Sequence, residues 1–259
     1  MKNKTPRTNR IKLTLADPIM KSVMARVRKI SRREGSVLIG GESGVGKTEL
    51  SSLLHEESRR KDAPHLSIGC GELPDQTIMS TLFGHVAGAY TDAKTAKEGI
   101  LIQADSGTLT LNDIDIMDLK TQGRLLRFLD DGSFFRLGEP GIPIKVDVRI
   151  IATTNKDLEK AIKQGKFLSD LYHRLSRWRI IVPPLRERPK DLCELAQNYL
   201  VMFQREDSDY DGLPDWEFKE EALDLLCSLP WNGNIRQLRT AVENIALFAI
   251  ALKEQREIL

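Results

Sequence analysis

Five short apolar runs punctuate the chain: SVLIG (36–40), HLSIG (65–69), GTLTL (107–111), VDVRIIAT (146–153) and WRIIVP (178–183). Runs of this length, rich in Val and Ile, predict strands buried on both faces of a sheet. Between them, apolar residues fall at helical spacing, as in Leu50, Leu53 and Leu54, and again in Leu125, Leu126, Phe128 and Leu129. Strand and helix in alternation predict an α/β fold whose mainly parallel sheet is covered by helices on both faces. After Pro183–Pro184 the period changes. Leu192, Leu195, Ala196, Tyr199, Leu200 and Phe203 form one helical stripe; Ala222, Leu225, Leu226 and Leu229 form a second; Leu238, Val242, Ile245 and Ala249 form a third. The expected organisation is a basic leader at 1–12, an α/β domain of five parallel strands at 13–186 and a small all-helical lid at 187–259. The acidic, turn-rich stretch Glu206 to Asp215 reads as an exposed loop within the lid.

The first strand leads into a motif that carries chemistry. Gly41, Glu42, Ser43, Gly44, Val45, Gly46, Lys47 and Thr48 fit G-x-x-x-x-G-K-[ST] in full, with a strand before and a Leu-patterned helix after. That context is what a phosphate-cradling loop requires. The glycines let successive backbone N–H groups turn inward around a triphosphate, and the helix N-terminus adds a positive dipole. Lys47 is expected to bridge the β- and γ-phosphates, and Thr48 to place its hydroxyl on Mg²⁺. The cofactors expected are therefore ATP and Mg²⁺.

Composition excludes more than it selects. A hydrophobic fraction of 41% and a charged fraction of 29% are those of an ordinary soluble protein. No run approaches the roughly 18 apolar residues of a membrane span, and the N-terminus lacks a signal-peptide core, so a cytoplasmic protein without membrane contact is expected. Cys70, Cys193 and Cys227 fall in unrelated segments without metal-ligand spacing and read as reduced, partly buried thiols. The net charge of +2 hides eleven basic and two acidic side chains within residues 1–35. This leader reads as a solvated basic arm rather than a nucleic-acid contact, and no sequence-specific DNA-reading module is visible.

LFGHVAGAYTDA (82–93), TQGRLLRFLDDGSFFRLG (121–138), VDVRIIATTN (146–155), DLYHRL (170–175), PPLRERPKDL (183–192) and WNGNIRQLRTAVEN (231–244) follow in order. Together with the phosphate loop, this series resembles the central AAA+ domain of bacterial enhancer-binding proteins, the activators of sigma-54 RNA polymerase. The resemblance runs from about Leu15 to about Ile250. It implies a P-loop NTPase that assembles with itself into a ring, commonly a hexamer, with ATP between subunits. It also implies a loop, here Gly88, Ala89, Tyr90, Thr91, Asp92 and Ala93, that meets the sigma factor. DNA contact would run through a C-terminal module absent from this chain, so the sequence is expected to be an isolated ATPase domain or a stand-alone form. Arg174 matches the finger that reaches a neighbour's γ-phosphate, Arg236 the lid arginine that touches nucleotide in its own subunit, and Thr154 with Asn155 the polar strand end that senses the γ-phosphate.

The departures from that pattern concern chemistry. Where the family ends its third strand in Asp-Glu, this chain has Asn112-Asp113. Neutral Asn112 offers the metal shell only a carbonyl oxygen. Asp113 takes the catalytic position one methylene short, on the order of 1 Å, enough to cost about a hundredfold in rate. A carboxylate at Asp113 or Asp115 shifting onto the metal is the conceivable rescue. Gly69 stands where the family places an Asn that restrains the catalytic Glu, Leu168 where it places a second boundary arginine, and Asp92 where the loop has a glycine. These changes weigh against hydrolysis and leave nucleotide binding untouched. The alternative expectation is thus a hydrolysis-deficient nucleotide-binding regulator or scaffold that assembles on ATP without remodelling sigma-54.

Overall fold

The computed structural model describes residues 16–71, 75–90, 93–139, 141, 143–206 and 216–257. Its contacts divide the chain into two compact units: Ser22–Val182, and the segment ending at Lys21 together with the chain from Pro183 onward. In the first unit the elements run α1 (Pro18–Ser31, beginning in the other unit), β1 (Val37–Gly40), α2 (Lys47–Glu56), β2 (His65–Gly69), α3 (Asp75–Phe83), α4 (Ile100–Gln103) and β3 (Thr108–Asn112). They continue with α5 (Leu119–Asp131), β4 (Ser133–Phe134), β5 (Ile144–Lys145), β6 (Arg149–Thr154), α6 (Leu158–Lys163), α7 (Ser169–Leu175) and β7 (Trp178–Ile181). The second unit carries α8 (Pro189–Glu206), α9 (Glu220–Ser228) and α10 (Asn234–Glu257).

Five strands form one sheet in the order β2-β3-β6-β1-β7, every neighbouring pair parallel. β4 and β5 make a separate two-stranded hairpin. The central strands meet the expectation of double-sided burial, for every residue of β6 is buried. The edge strands do not: Ser67 on β2 is exposed, as is Ile181 on β7. Threonines in β3 are tolerated inside because their hydroxyls are used. Thr108 bonds the His55 ring and Thr110 the His65 ring, each at 3.0 Å, and the two imidazoles stack at 4.6 Å. Burial lowers the His55 pKa, favouring the neutral ring.

Local chemistry sets the helix limits. Asp118 caps α5 by accepting from the amides of Lys120 and Thr121, and Gly132, at φ 74°, ends it in the left-handed conformation that glycine takes without strain. Asp157 caps α6 in the same way. The buried Arg149 guanidinium donates to the carbonyls of Ile30 and Ser31, the last residues of α1, at 3.0 and 2.9 Å. It thereby satisfies acceptors that a helix end leaves orphaned.

In the second unit, the α8 stripe Leu192, Leu195, Ala196, Tyr199, Leu200 and Phe203 is buried throughout. The other two stripes are corrected. On α9 Leu226 is buried, whereas Leu225 and, just beyond the helix, Leu229 are exposed. On α10 the buried face runs through Leu238, Val242 and Ala246, leaving Ile245 exposed. One helix packed against another buries an i, i+4 seam narrower than the apolar pattern suggests. Asn234 opens α10 and accepts the Leu185 amide at 2.7 Å, and Trp231 donates to the Leu226 carbonyl at 2.6 Å. Arg188 and Asp191 form a fully buried pair, 3.7 Å apart, while the Asp17 amide donates to Asp191 at 2.8 Å. The reading of the cysteines as unrelated is also corrected: Cys193 on α8 and Cys227 on α9 bring their sulfurs within 3.1 Å.

Candidate functional site

The carboxyl ends of β1, β3 and β6 converge on the phosphate loop, where ligands of open parallel sheets bind. The loop leaves β1 at Gly40, in register with Thr154, and the Gly41 amide donates to the Thr154 carbonyl at 3.2 Å. Gly41, Gly44 and Gly46 have φ of 154°, 76° and 103°. A Cβ at Gly41 would stand 2.8 Å from the Val182 carbonyl oxygen, so both space and backbone demand glycine there. Gly46 is the N-cap of α2 and makes no side-chain cap bond. The first amides of a ten-residue helix therefore point out of its N-terminus with the positive end of the dipole. Lys47 is buried, its ammonium donating to the carbonyls of Gly41 and Glu42 at 2.8 and 2.9 Å. Thr48 and Ser43 are exposed, Val45 packs inward, and Glu42 is half-buried.

At the end of β3 the two expected metal ligands differ in how they are held. The Asn112 amide donates to the Ser67 hydroxyl at 2.9 Å, while its carbonyl oxygen receives the Thr153 hydroxyl at 3.3 Å. Both ends of the carboxamide are thus directed sideways, to β2 and β6. Asp113 is left-handed at φ 52°, its amide donating to the Thr153 hydroxyl at 3.3 Å. The chain then bends through a short 3₁₀ turn, Ile114–Ile116, which brings Asp115 to Thr154: the threonine hydroxyl donates to its carboxylate at 2.6 Å. Asn155 follows Thr154 and is exposed. Gly69 is in register with Asn112 and offers no side chain to either residue.

Arg174 stands elsewhere. It lines an open cavity of about 590 Å³ with Glu34, Arg60, Arg149, His173 and Arg177, at the amino ends of β1 and β6. Its Nε lies 2.8 Å from the Asp130 carboxylate. Nothing in the sequence singled out Asp130. Leu168 is the N-cap position of α7 and packs on the core, with its amide bonded to Gln122. Arg236 belongs to the second unit, in the first turns of α10, and its side chain is exposed.

The loop after α3 is tied at its base. Gly88 donates to the Ala93 carbonyl at 2.8 Å and Ala93 to the Tyr90 carbonyl at 2.9 Å. Gly88 takes φ 80° with open space around it, Ala89 packs beside Gly138, and Ala93 is buried. The Tyr90 ring is partly exposed and meets the His85 ring edge-on at 5.1 Å. His85, which sequence reasoning passed over, is buried between the Ser80 hydroxyl (2.7 Å) and the Thr95 carbonyl (2.9 Å). Thr91 and Asp92 lie outside the described residues.

Comparison with known proteins agrees with this geometry. The family model described as the sigma-54 interaction domain matches residues 13–181, and one described as an AAA+ ATPase lid domain matches 186–258. The DNA-binding transcriptional regulator NtrC of Salmonella typhimurium is 43% identical over 232 residues, 90% of this chain and 48% of that protein. The regulatory protein AtoC of Escherichia coli is 40% identical over 230 residues, 87% of this chain and 48% of its own length. The crystal structure of NtrX from Brucella abortus in complex with ATP superposes with a TM-score of 0.79 at 29% identity, covering 92% of this chain and 53% of that one. The chain spans about half the length of the curated relatives it matches. It belongs to the sigma-54 interaction domain family, an AAA+ α/β domain followed by an AAA+ helical lid.

Proposed function

We propose that this chain binds ATP with Mg²⁺ as one subunit of a ring oligomer, a hexamer. In this reading it is part of a cytoplasmic enhancer-binding-type transcription regulator acting on sigma-54 RNA polymerase. The observation that carries the reading is the Gly41–Thr48 loop: three glycines at positive φ turn the main chain around the N-terminus of α2, with Lys47 fixed beside them. Relatives named as transcriptional regulators, and a similar protein solved with ATP, support it. The module is taken as 13–186 with its lid at 187–259, and DNA contact is assigned to a module other than this chain.

The residues present fit the nucleotide and its metal. Main-chain amides and the helix dipole meet the phosphate charge, and Lys47 adds a cation. Thr48 offers a hydroxyl and Asp113 and Asp115 offer carboxylates, the hard oxygen donors that Mg²⁺ takes. Bound Mg²⁺ would neutralise charge between the β- and γ-phosphates. Arg174, away from its own phosphate loop, serves a neighbour's nucleotide, where a guanidinium stabilises charge on the transferring phosphoryl group. Asn155 and Arg236 report nucleotide state to the strand end and the lid. Tyr90, an aromatic at a tied loop, is the anchor for the sigma factor.

Sedimentation velocity with and without ATP tests assembly: a ring-sized species with ATP and smaller species without it are expected. Cross-linking to sigma-54 in the presence of ATP, lost in Tyr90→Ala, tests the partner loop. An unchanged size distribution in ATP overturns the ring, and cross-linking that survives Tyr90→Ala overturns the anchor.

A further inference from the structure

We infer that Asp115, rather than the residue at the usual strand-end positions 112 and 113, supplies the principal carboxylate that makes nucleotide binding depend on a divalent cation. The inference rests on the phosphate-loop reading above and concerns which acidic group completes it.

The three candidate side chains differ in what already holds them. Asn112 has no charge, and both ends of its carboxamide are bonded, to Ser67 and Thr153. Turning its oxygen toward a cation would break both contacts. Asp113 is charged, but the left-handed backbone there redirects the chain, and its amide rather than its carboxylate is what Thr153 holds. No described group fixes the Asp113 carboxylate in place. Asp115 differs on both counts. Its carboxylate accepts a 2.6 Å charge-assisted bond from Thr154, a threonine that is almost fully buried. Thr154 is in turn held by the Lys156 amide, at 3.1 Å on the same hydroxyl oxygen.

Thr154 closes β6, the strand between β3 and β1, and its carbonyl receives the Gly41 amide. One threonine thus joins the first residue of the phosphate loop, through its main chain, to Asp115, through its side chain. The anchored anion and the start of the phosphate loop thus both lie at the carboxyl edge of the parallel sheet. A carboxylate already fixed by that bond gives up less side-chain freedom on meeting a cation than an unanchored neighbour does. The turn that delivers it depends on the left-handed conformation at 113, which Asp adopts more readily than most residues.

The test measures ATP affinity by titration calorimetry, once with Mg²⁺ and once with EDTA, for the unaltered chain, Asp115→Asn, Asp113→Asn and Thr154→Val. Asp115→Asn keeps an oxygen to accept the Thr154 hydroxyl, so the fold is retained and the charge alone is removed. The increment that Mg²⁺ adds to ATP affinity should fall at least tenfold in Asp115→Asn and by less in Asp113→Asn. In EDTA, Asp115→Asn should bind ATP as tightly as the unaltered chain or more tightly, because a repulsive anion is gone; a merely structural lesion would weaken both arms. Thr154→Val, which frees Asp115 without neutralising it, should fall between. A retained Mg²⁺ increment in Asp115→Asn, or an equal or larger loss in Asp113→Asn, overturns the inference and leaves the phosphate-loop reading standing. If the unaltered chain binds no ATP in either arm, both fail together.

Discussion

Arg174 is held to Asp130 at 2.8 Å, both side chains well exposed, across a gap in sequence that joins α7 to the end of α5. An exposed pair of this kind contributes under about 1 kcal/mol, because solvent screens it and two long side chains lose freedom to make it. Its interest is positional: the guanidinium assigned to a neighbour's nucleotide is already oriented by a carboxylate of its own subunit. Arg174→Ala should reduce ATP turnover by about a thousandfold, the scale of a lost arginine finger, with little change in urea midpoint. Asp130→Asn should leave stability within about 0.5 kcal/mol and change the protein-concentration dependence of phosphate release. Identical concentration curves for Asp130→Asn and the unaltered chain would separate the pair from assembly.

In the proposed reading the strand end limits the rate of hydrolysis. With Asn112 committed to Ser67 and Thr153, and Asp113 one methylene short, turnover should be slow. The double replacement Asn112→Asp with Asp113→Glu is expected to raise single-turnover phosphate release by up to about a hundredfold. ATP affinity should change much less, since the phosphate loop is untouched. No gain in the double variant would mean that the strand end does not limit the chemistry.

A stability prediction follows from the α5 cap. Burial pushes the Asp118 carboxyl pKa upward, but the Thr121 hydroxyl and the amides of Thr121 and Lys120 outweigh it, and the net shift is downward. A folded pKa below the unfolded one stabilises the ionised native state. This contribution is complete above the ordinary carboxylate range, about pH 4, and is lost as pH falls through the lower folded value. Asp118→Ala should cost about 1 kcal/mol at pH 7 in urea unfolding, the usual worth of an N-cap. The cost should shrink at pH 2.5.

The thiols of Cys193 and Cys227 offer a check on the helical unit. Burial, then contact with Cys193, pushes the Cys227 pKa up to about 12. It therefore stays protonated near neutrality, in hydrogen-bond contact with its neighbour. Diamide, a two-electron oxidant, should take one hydrogen from each thiol, form the S–S bond and leave the chain two hydrogens lighter by mass. The reaction should quicken as pH rises and vanish in Cys193→Ser. Closing that 34-residue loop should add about 4 kcal/mol to the stability of this unit.

What could be read from sequence follows from contiguity. The phosphate loop is eight adjacent residues, and its glycines need left-handed angles whatever surrounds them. The inner strands announced themselves because both faces are buried. The α9 and α10 stripes were misjudged because Leu225, Leu229 and Ile245 fit the period yet face outward. Packing selects part of an apolar face, and periodicity alone does not say which part. Thr154 with Asp115, Arg174 with Asp130 and Cys193 with Cys227 were invisible for another reason. Each pair is brought together by a turn or crossover tens of residues long, and in the first by a left-handed residue at Asp113.

In the proposed function, main-chain amides and Lys47 hold a triphosphate. Titration calorimetry of ATP into the unaltered chain and into Lys47→Ala measures that grip. Saturable binding that weakens at least a hundredfold in Lys47→Ala, about 2.7 kcal/mol, is the predicted result. Equal affinity in the two proteins, or no heat of binding at millimolar ATP, would contradict it.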